Sequence, residues 1–138
     1  MRSFVSAVGL SLGLIVGLAA CDSDPNGFIP EVCDPGQLEV ETLVEGAGPS
    51  TVRSSSRIVA NYVGRLVVTQ DTFDTGESTE FNLQTVIAGF RQGLTGARIG
   101  EQRRLIIPPD LGYGGRARTG IPACSTLEFE VEVLDIVG

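Results

Sequence analysis

The sequence predicts an α+β domain, an antiparallel β-sheet with one wet face and a single short helix on its dry face. Three observations carry that expectation. From Leu38 onward apolar and polar residues mostly alternate with period two, the spacing of half-buried strands. Only Thr85–Leu94 has helical spacing, with Ile87, Phe90 and Leu94 on one face at i, i+3 and i+7. The last alternating run sets Leu127, Phe129, Val131 and Val133 against Glu128, Glu130 and Glu132, which suits a strand with one face in water. The chain has 138 residues, enough for one small domain with one core.

The elements follow in order. Leu38, Val40 and Thr42 alternate with Glu39 and Glu41, and the run Glu45-Gly46-Ala47-Gly48-Pro49 breaks this first strand. Arg57–Val68 is rich in β-branched residues and reads as the second. Thr72-Phe73-Asp74 and Thr79–Leu83 read as short strands around a Thr75-Gly76 turn. The helix comes next, with Thr85 as its expected cap. Gly89 and Gly93 weaken it in isolation, so it should depend on packing. Gln102–Ile107 is a strand stopped by Pro108-Pro109, and a loop with four glycines and Tyr113 leads to the final strand. No internal repeat appears.

Composition excludes several kinds of chemistry. The net charge is −7 and no basic run occurs, which argues against nucleic acid as a partner. Histidine is absent, and with it His-based general base catalysis, Ser-His-Asp arrangements and His-ligated zinc. No metal site and no cofactor is expected. The sequence Gly112-x-Gly114-x-x-Ala117 echoes a dinucleotide fingerprint, but Pro108-Pro109 separates it from the preceding strand and no helix pattern follows.

The N-terminus reads as an address. Arg2 precedes an uncharged, apolar stretch from Phe4 to Ala20, so residues 1–20 suit a secretory signal peptide better than a membrane span of about 20 residues. Leu18-Ala19-Ala20-Cys21 resembles the bacterial lipobox, which implies lipidation of Cys21 and anchoring to a membrane of the cell envelope. The alternative is an ordinary signal peptide cleaved near a cysteine. Residues 21–37, with Pro25, Pro30, Pro35, Gly27 and Gly36, read as a tether, and residues 38–138 as the folded domain. If Cys21 is lipidated, Cys33 and Cys124 remain. An exported compartment allows them to pair, the alternative being two unpaired thiols.

The domain as a whole resembles the FKBP-type peptidyl-prolyl cis-trans isomerases from about Leu38 to Ile136. The matching motifs are VANYVGRL with Tyr62, TFDTG with Phe73 and Asp74, FNL followed by VIAGFRQGL, IGEQRRLIIPPDLGYG with Tyr113, and IPACSTLEFEVEVLDI with Phe129, in order and at the right spacing. The resemblance implies a twisted antiparallel sheet curled around the short helix, with a shallow apolar pocket between them. It implies roles residue by residue. Tyr62, Phe73 and Phe129 are aromatic walls and Phe90 is the floor. Val86 and Ile87 line the entrance, with the Ile87 N–H as a donor. Asp74 is a polar contact at the rim, Tyr113 a hydroxyl donor to a bound carbonyl, and Ile121 closes one side. The implied partners are proline-containing polypeptides and, as inhibitors, macrolides. The expected state is a monomer. One by one, each aromatic suits a core equally well and Asp74 a turn. Two departures stand out. Phe90 occupies the floor position where the family usually has tryptophan, and Thr79 lies near the place of an aromatic often found before FNL. The altered floor keeps a second expectation open, a membrane-anchored module that binds proline peptides or macrolides without turnover.

Overall fold

Alternating side chains with one apolar row can be satisfied only by burying that row, and the computed structural model shows how. It describes residues 32–138. The expectations for residues 1–20, for Cys21 and for the first part of the tether lie outside the described residues. Among the described residues no helix is long and apolar enough to cross a membrane.

Five strands form one antiparallel sheet: β1 (Glu39–Val44), β3 (Arg57–Leu66), β4 (Thr72–Asn82), β6 (Gln102–Ile107) and β7 (Leu127–Ile136), in the spatial order β1-β6-β7-β3-β4. Helix α1 (Ala88–Leu94) lies across it. The core is the shared interior of sheet and helix, with Ile58, Leu83, Leu94, Leu105, Ile107, Leu127 and Val133 fully buried. The expected α+β architecture is therefore observed.

The helix is short and carries two glycines because it must sit very close to β6. A Cβ built on Gly93 would lie 2.6 Å from the Leu105 side chain, and one on Gly89 would collide with Ile107. Bare backbone at these positions lets the helix approach, and Phe90 and Leu94 then reach the interior. The far end of α1 is held by Arg103, whose guanidinium donates to the Gly93 and Thr95 carbonyls at 2.9 and 3.1 Å. Buried Glu101 fixes that arginine, accepting from its Nε at 2.6 Å and from the Arg98 N–H at 3.0 Å. These contacts satisfy carbonyls that the end of a helix otherwise leaves unpaired.

The structure corrects four local expectations. Thr85 does not cap α1. The N-cap is Ile87, without a side-chain bond, while the Thr85 hydroxyl donates to the Asn82 carbonyl at 2.9 Å and closes the preceding turn. Thr72–Asn82 is one strand. The expected turn at Thr75-Gly76 is a bulge two residues later, where Asn61 faces Glu77 and Ser78 and accepts from the Ser78 N–H at 2.8 Å. The break after β1 is brief, because β2 (Ala47–Thr51) pairs with β5 (Arg98–Ile99) in a separate two-stranded ribbon. Finally, Val40 points to the same face as its buried partner Leu105 but stays 45% exposed, since β1 is an edge strand beyond the cover of the helix.

The opposite face is charged in cross-strand pairs. Arg65 opposes Glu128, and Arg104 opposes both Glu41 and Glu130. Glu128 points to the wet side as its alternation predicts, yet it is buried beneath the Arg65 and Arg104 guanidinium groups, at 3.6 and 2.9 Å.

Cys33 and Cys124 are bonded, with Cα atoms 5.2 Å apart and a sequence separation of 91. The Gly36 N–H donates to Asp110 at 3.4 Å, and Gly36 lies tight against Pro108. The last residues of the tether are thus fastened to the domain.

A side chain at the α1–β6 contact should be costly. Gly89→Ala gains at most about 1 kcal/mol of helix propensity but must displace stiff, fully buried Ile107. The expected outcome is a net loss of about 1–2 kcal/mol in unfolding free energy, read from urea titration of the purified domain.

Candidate active site

One cleft opens between the N-terminal end of α1 and the concave sheet. It has a volume of about 420 Å³ and is lined by Tyr62, Asp74, Phe81, Thr85, Val86, Ile87, Phe90, Tyr113, Arg118 and Phe129. Seven of the nine residues singled out from the sequence are in that lining. The other two stand behind it. Phe73 meets Phe129 edge to face at 5.5 Å, and Ile121 is buried in the loop that carries Arg118, paired with it.

The aromatic residues form a continuous chain. Phe73 contacts Phe129, Phe129 contacts Phe90 at 5.3 Å, Phe90 contacts Phe81 at 5.1 Å, and Phe81 contacts Tyr62 at 5.1 Å. These separations and mostly edge-to-face geometries are those aromatic rings prefer. Each ring fixes the next, so the wall is set before anything binds. Two glycines make room. A Cβ on Gly64 would lie 2.8 Å from both Phe73 and Phe129, and one on Gly76 would lie 2.7 Å from the Tyr62 ring.

Phe81 is a wall residue that the sequence reading passed over, although it read FNL as a landmark. Its signal was alternation. Phe81 lies two residues from Thr79 on the same face of β4, so it supplies an aromatic close to where Thr79 lacks one. Thr85 and Arg118 were also missed. Both are polar residues on irregular backbone, where no period points to a face.

Polar groups are few and placed at the rim. The Tyr62 hydroxyl faces the Asp74 carboxylate. Burial, then Asp74 as hydrogen-bond acceptor and as negative charge, push the hydroxyl up to about 12. Tyr62 therefore stays a neutral donor at any physiological pH. The Ile87 N–H stands at the helix mouth. On the opposite side, Tyr113 is presented by a turn in which Gly114 takes φ 61° and its N–H donates to the Pro109 carbonyl at 2.8 Å. Of the loop's glycines, Gly114 is the one beside Tyr113 where a left-handed residue is required.

The comparisons with known proteins decide the family. Residues 48–134 match the family described as FKBP-type peptidyl-prolyl cis-trans isomerase. The chain belongs to this family. It is 37% identical over 100 residues to the FKBP-type peptidyl-prolyl cis-trans isomerase FkpA of Escherichia coli K12, a match covering 70% of this chain and 37% of that protein. It is 40% identical over 107 residues to FK506-binding protein 1A of Neurospora crassa, covering 73% of this chain and 89% of that protein. Among solved structures, a peptidyl-prolyl cis-trans isomerase from Pseudomonas syringae superposes with a TM-score of 0.67 at 31% identity, over 73% of this chain and 76% of that one. The crystal structure of FkpA from Escherichia coli gives 0.63 at 38% identity, over 72% of this chain and 47% of that one. The chain thus spans little more than a third of the FkpA sequence, and the likeness concerns the domain.

The Tyr62–Asp74 contact has a measurable pH signature. The native hydroxyl keeps its proton to about 12, above the ordinary value of 10.0 shown by the unfolded chain. The native state therefore binds more protons between those values. Its stabilising contribution is complete below pH 10 and is lost as pH rises toward 12. Ultraviolet titration of the folded protein should show a late phenolate transition that Tyr62→Phe removes, and that Asp74→Asn moves to lower pH.

Proposed function

We propose that this chain is an exported peptidyl-prolyl cis-trans isomerase, anchored to a cell-envelope membrane through lipid on Cys21 and acting on flexible or unfolded exported polypeptides. The supporting observation is the cleft itself, a preset aromatic recess with donors only at its rim, in a domain of the isomerase family. Macrolides compete for the same recess. The protein acts as a monomer and takes no nucleic acid.

The chemistry suits such a site. Rotation about an Xaa-Pro bond takes tens to hundreds of seconds unaided, against a barrier of roughly 18–20 kcal/mol set by amide resonance. No bond to an atom outside the amide forms or breaks, so no nucleophile, metal or general base is needed. The planar amide is more polar than the twisted one. An apolar recess that removes water from the amide disfavours the planar ground state relative to the twisted transition state. The proline ring lies over Phe90, between Tyr62 and Phe129, with Phe73 holding Phe129 upright. Val86 and Ile87 guide entry, and Ile121 backs the loop side. The Ile87 N–H and the Tyr113 hydroxyl donate to substrate carbonyls and fix the chain on either side of the rotating bond. Asp74 holds Tyr62 and offers an acceptor at the rim.

The phenylalanine floor favours one second reading, a module that binds proline peptides without turnover. It lacks the N–H and some of the area of the indole expected there.

Exchange NMR on proline tetrapeptides separates the two readings. Catalytic amounts of the purified protein should accelerate cis–trans exchange. Tyr113→Phe should lower kcat/KM about two- to tenfold, the worth of one hydrogen bond. Phe73→Ala should lower it further by freeing Phe129. Peptide binding without acceleration would establish the binding module instead. For the anchor, radiolabelled palmitate should mark the protein in bacterial cells and fail to mark Cys21→Ser, and equal labelling of both would refute lipidation at Cys21.

A further inference from the structure

Arg118 is the one cationic side chain among the residues lining the cleft. It is exposed at the rim, and its guanidinium lies 4.4 Å from the centre of the Tyr113 ring, within the range of a cation–π contact. The arginines of the five-stranded sheet, Arg57, Arg65, Arg103 and Arg104, each hold a carboxylate. Arg118 holds none among the described residues. The cleft's own carboxylate, Asp74, faces the Tyr62 hydroxyl.

The position of Arg118 is built into the backbone. Arg118 and Ile121 exchange both main-chain hydrogen bonds at 2.8 Å, closing a tight hairpin with Gly120 at φ 77°. Ile121 is buried and pins one arm. At the base of the loop the Cys124 N–H donates to the Gly114 carbonyl at 2.9 Å, and Cys124 is bonded to Cys33. A hairpin tied at tip and base, with its arginine laid on an aromatic face, holds a positive charge at a fixed place beside the recess. A freely rotating surface arginine does not do this.

We propose that Arg118 is a specificity-determining residue that favours substrates carrying a carboxylate side chain, Glu or Asp, directly next to the proline. The inference rests on the isomerase reading above and adds the class of substrate to it. A bound carboxylate meets a guanidinium that no internal acid neutralises, and part of that guanidinium is already shielded from water by Tyr113. A lysine in the same place meets like charge.

Two series of tetrapeptides test this, with Glu, Gln or Lys directly before the proline in one and directly after it in the other. Exchange NMR, which needs no coupling protease, reads kcat/KM. In at least one series the order should be Glu, then Gln, then Lys. The Glu-to-Gln ratio should be roughly two to five at low salt, as for an exposed ion pair. It should shrink at high ionic strength. Arg118→Gln should bring that ratio to about one, while Arg118→Lys keeps it above one. The ratio within each variant cancels any general loss of activity.

A protein that accelerates none of the peptides overturns the isomerase reading. Equal acceleration of Glu and Gln peptides in both series leaves that reading intact and overturns this one. A glutamate preference that survives in Arg118→Gln, or that vanishes equally in Arg118→Lys, also overturns it.

Discussion

The close seating of α1 on β6 is the constraint on which the rest of the site depends. Gly89 and Gly93 bring helix backbone against Ile107 and Leu105, and no other residue type fits without moving a fully buried side chain. That distance sets the depth of Phe90, which is 3% exposed and touches both Phe81 and Phe129. It also sets where the residues ahead of the helix, Val86 and Ile87, reach the mouth of the cleft. A helix of seven residues has little stability of its own. Its place is therefore dictated from outside, by two glycines along its length and by Arg103 and Glu101 at its end. Glu101 and Arg103 touch nothing in the cleft, yet they hold the element that carries its floor.

The fold was legible where burial and periodicity agree. Leu127 to Val133 alternates without exception, so β7 and its orientation could be read directly, and the aromatic positions followed from motifs that recur in order. Errors fell where a tertiary partner decided the outcome. Thr85 has the chemistry of a cap, but Asn82 offered its carbonyl first. Thr75-Gly76 has the composition of a turn, but β3 pairs across it and the glycine serves the Tyr62 ring. Ala47–Thr51 has the composition of a break, but β5 lies within reach. Val40 alternates correctly and is still half exposed, because alternation names a face and not what covers it. Glu128 shows the converse, a wet-face residue covered by arginines from both neighbouring strands.

The site was legible to the extent that its residues are aromatic. Tyr62, Phe90 and Phe129 announce themselves by size and by place in a motif. Phe81 was hidden in a motif read for its order. Arg118 had no signal at all, because a charged residue in a glycine-rich loop is ordinarily solvated, and only the fold lays it on Tyr113. Gly89 and Gly93 were read as weakening the helix, and Gly76 as part of a turn. The structure uses four glycines as absence of bulk, Gly64 and Gly76 under the rings and Gly89 and Gly93 under the helix. Sequence shows that a Cβ is missing, but not which neighbour needs the space.

The loop from Gly112 to Cys124 joins these points. It carries Tyr113 and Arg118, and a loop of this composition would ordinarily be mobile. Three restraints act on it: the Gly114–Pro109 bond at its start, the Arg118–Ile121 hairpin at its tip, and the Cys33–Cys124 bridge with the Cys124–Gly114 bond at its base. A binding loop that is ordered in advance loses little conformational entropy when ligand arrives, so weak rim contacts count for more of the net affinity. That matters for a cleft whose polar groups are so few. In the proposed function the aromatic recess supplies apolar area and excludes water without choosing among sequences, since every proline ring is alike. Discrimination must come from the rim, and a rim discriminates only if it is rigid. The disulfide is the part of this arrangement that reaches outside the domain's own alternating pattern, tying the segment before β1 to the edge of the cleft.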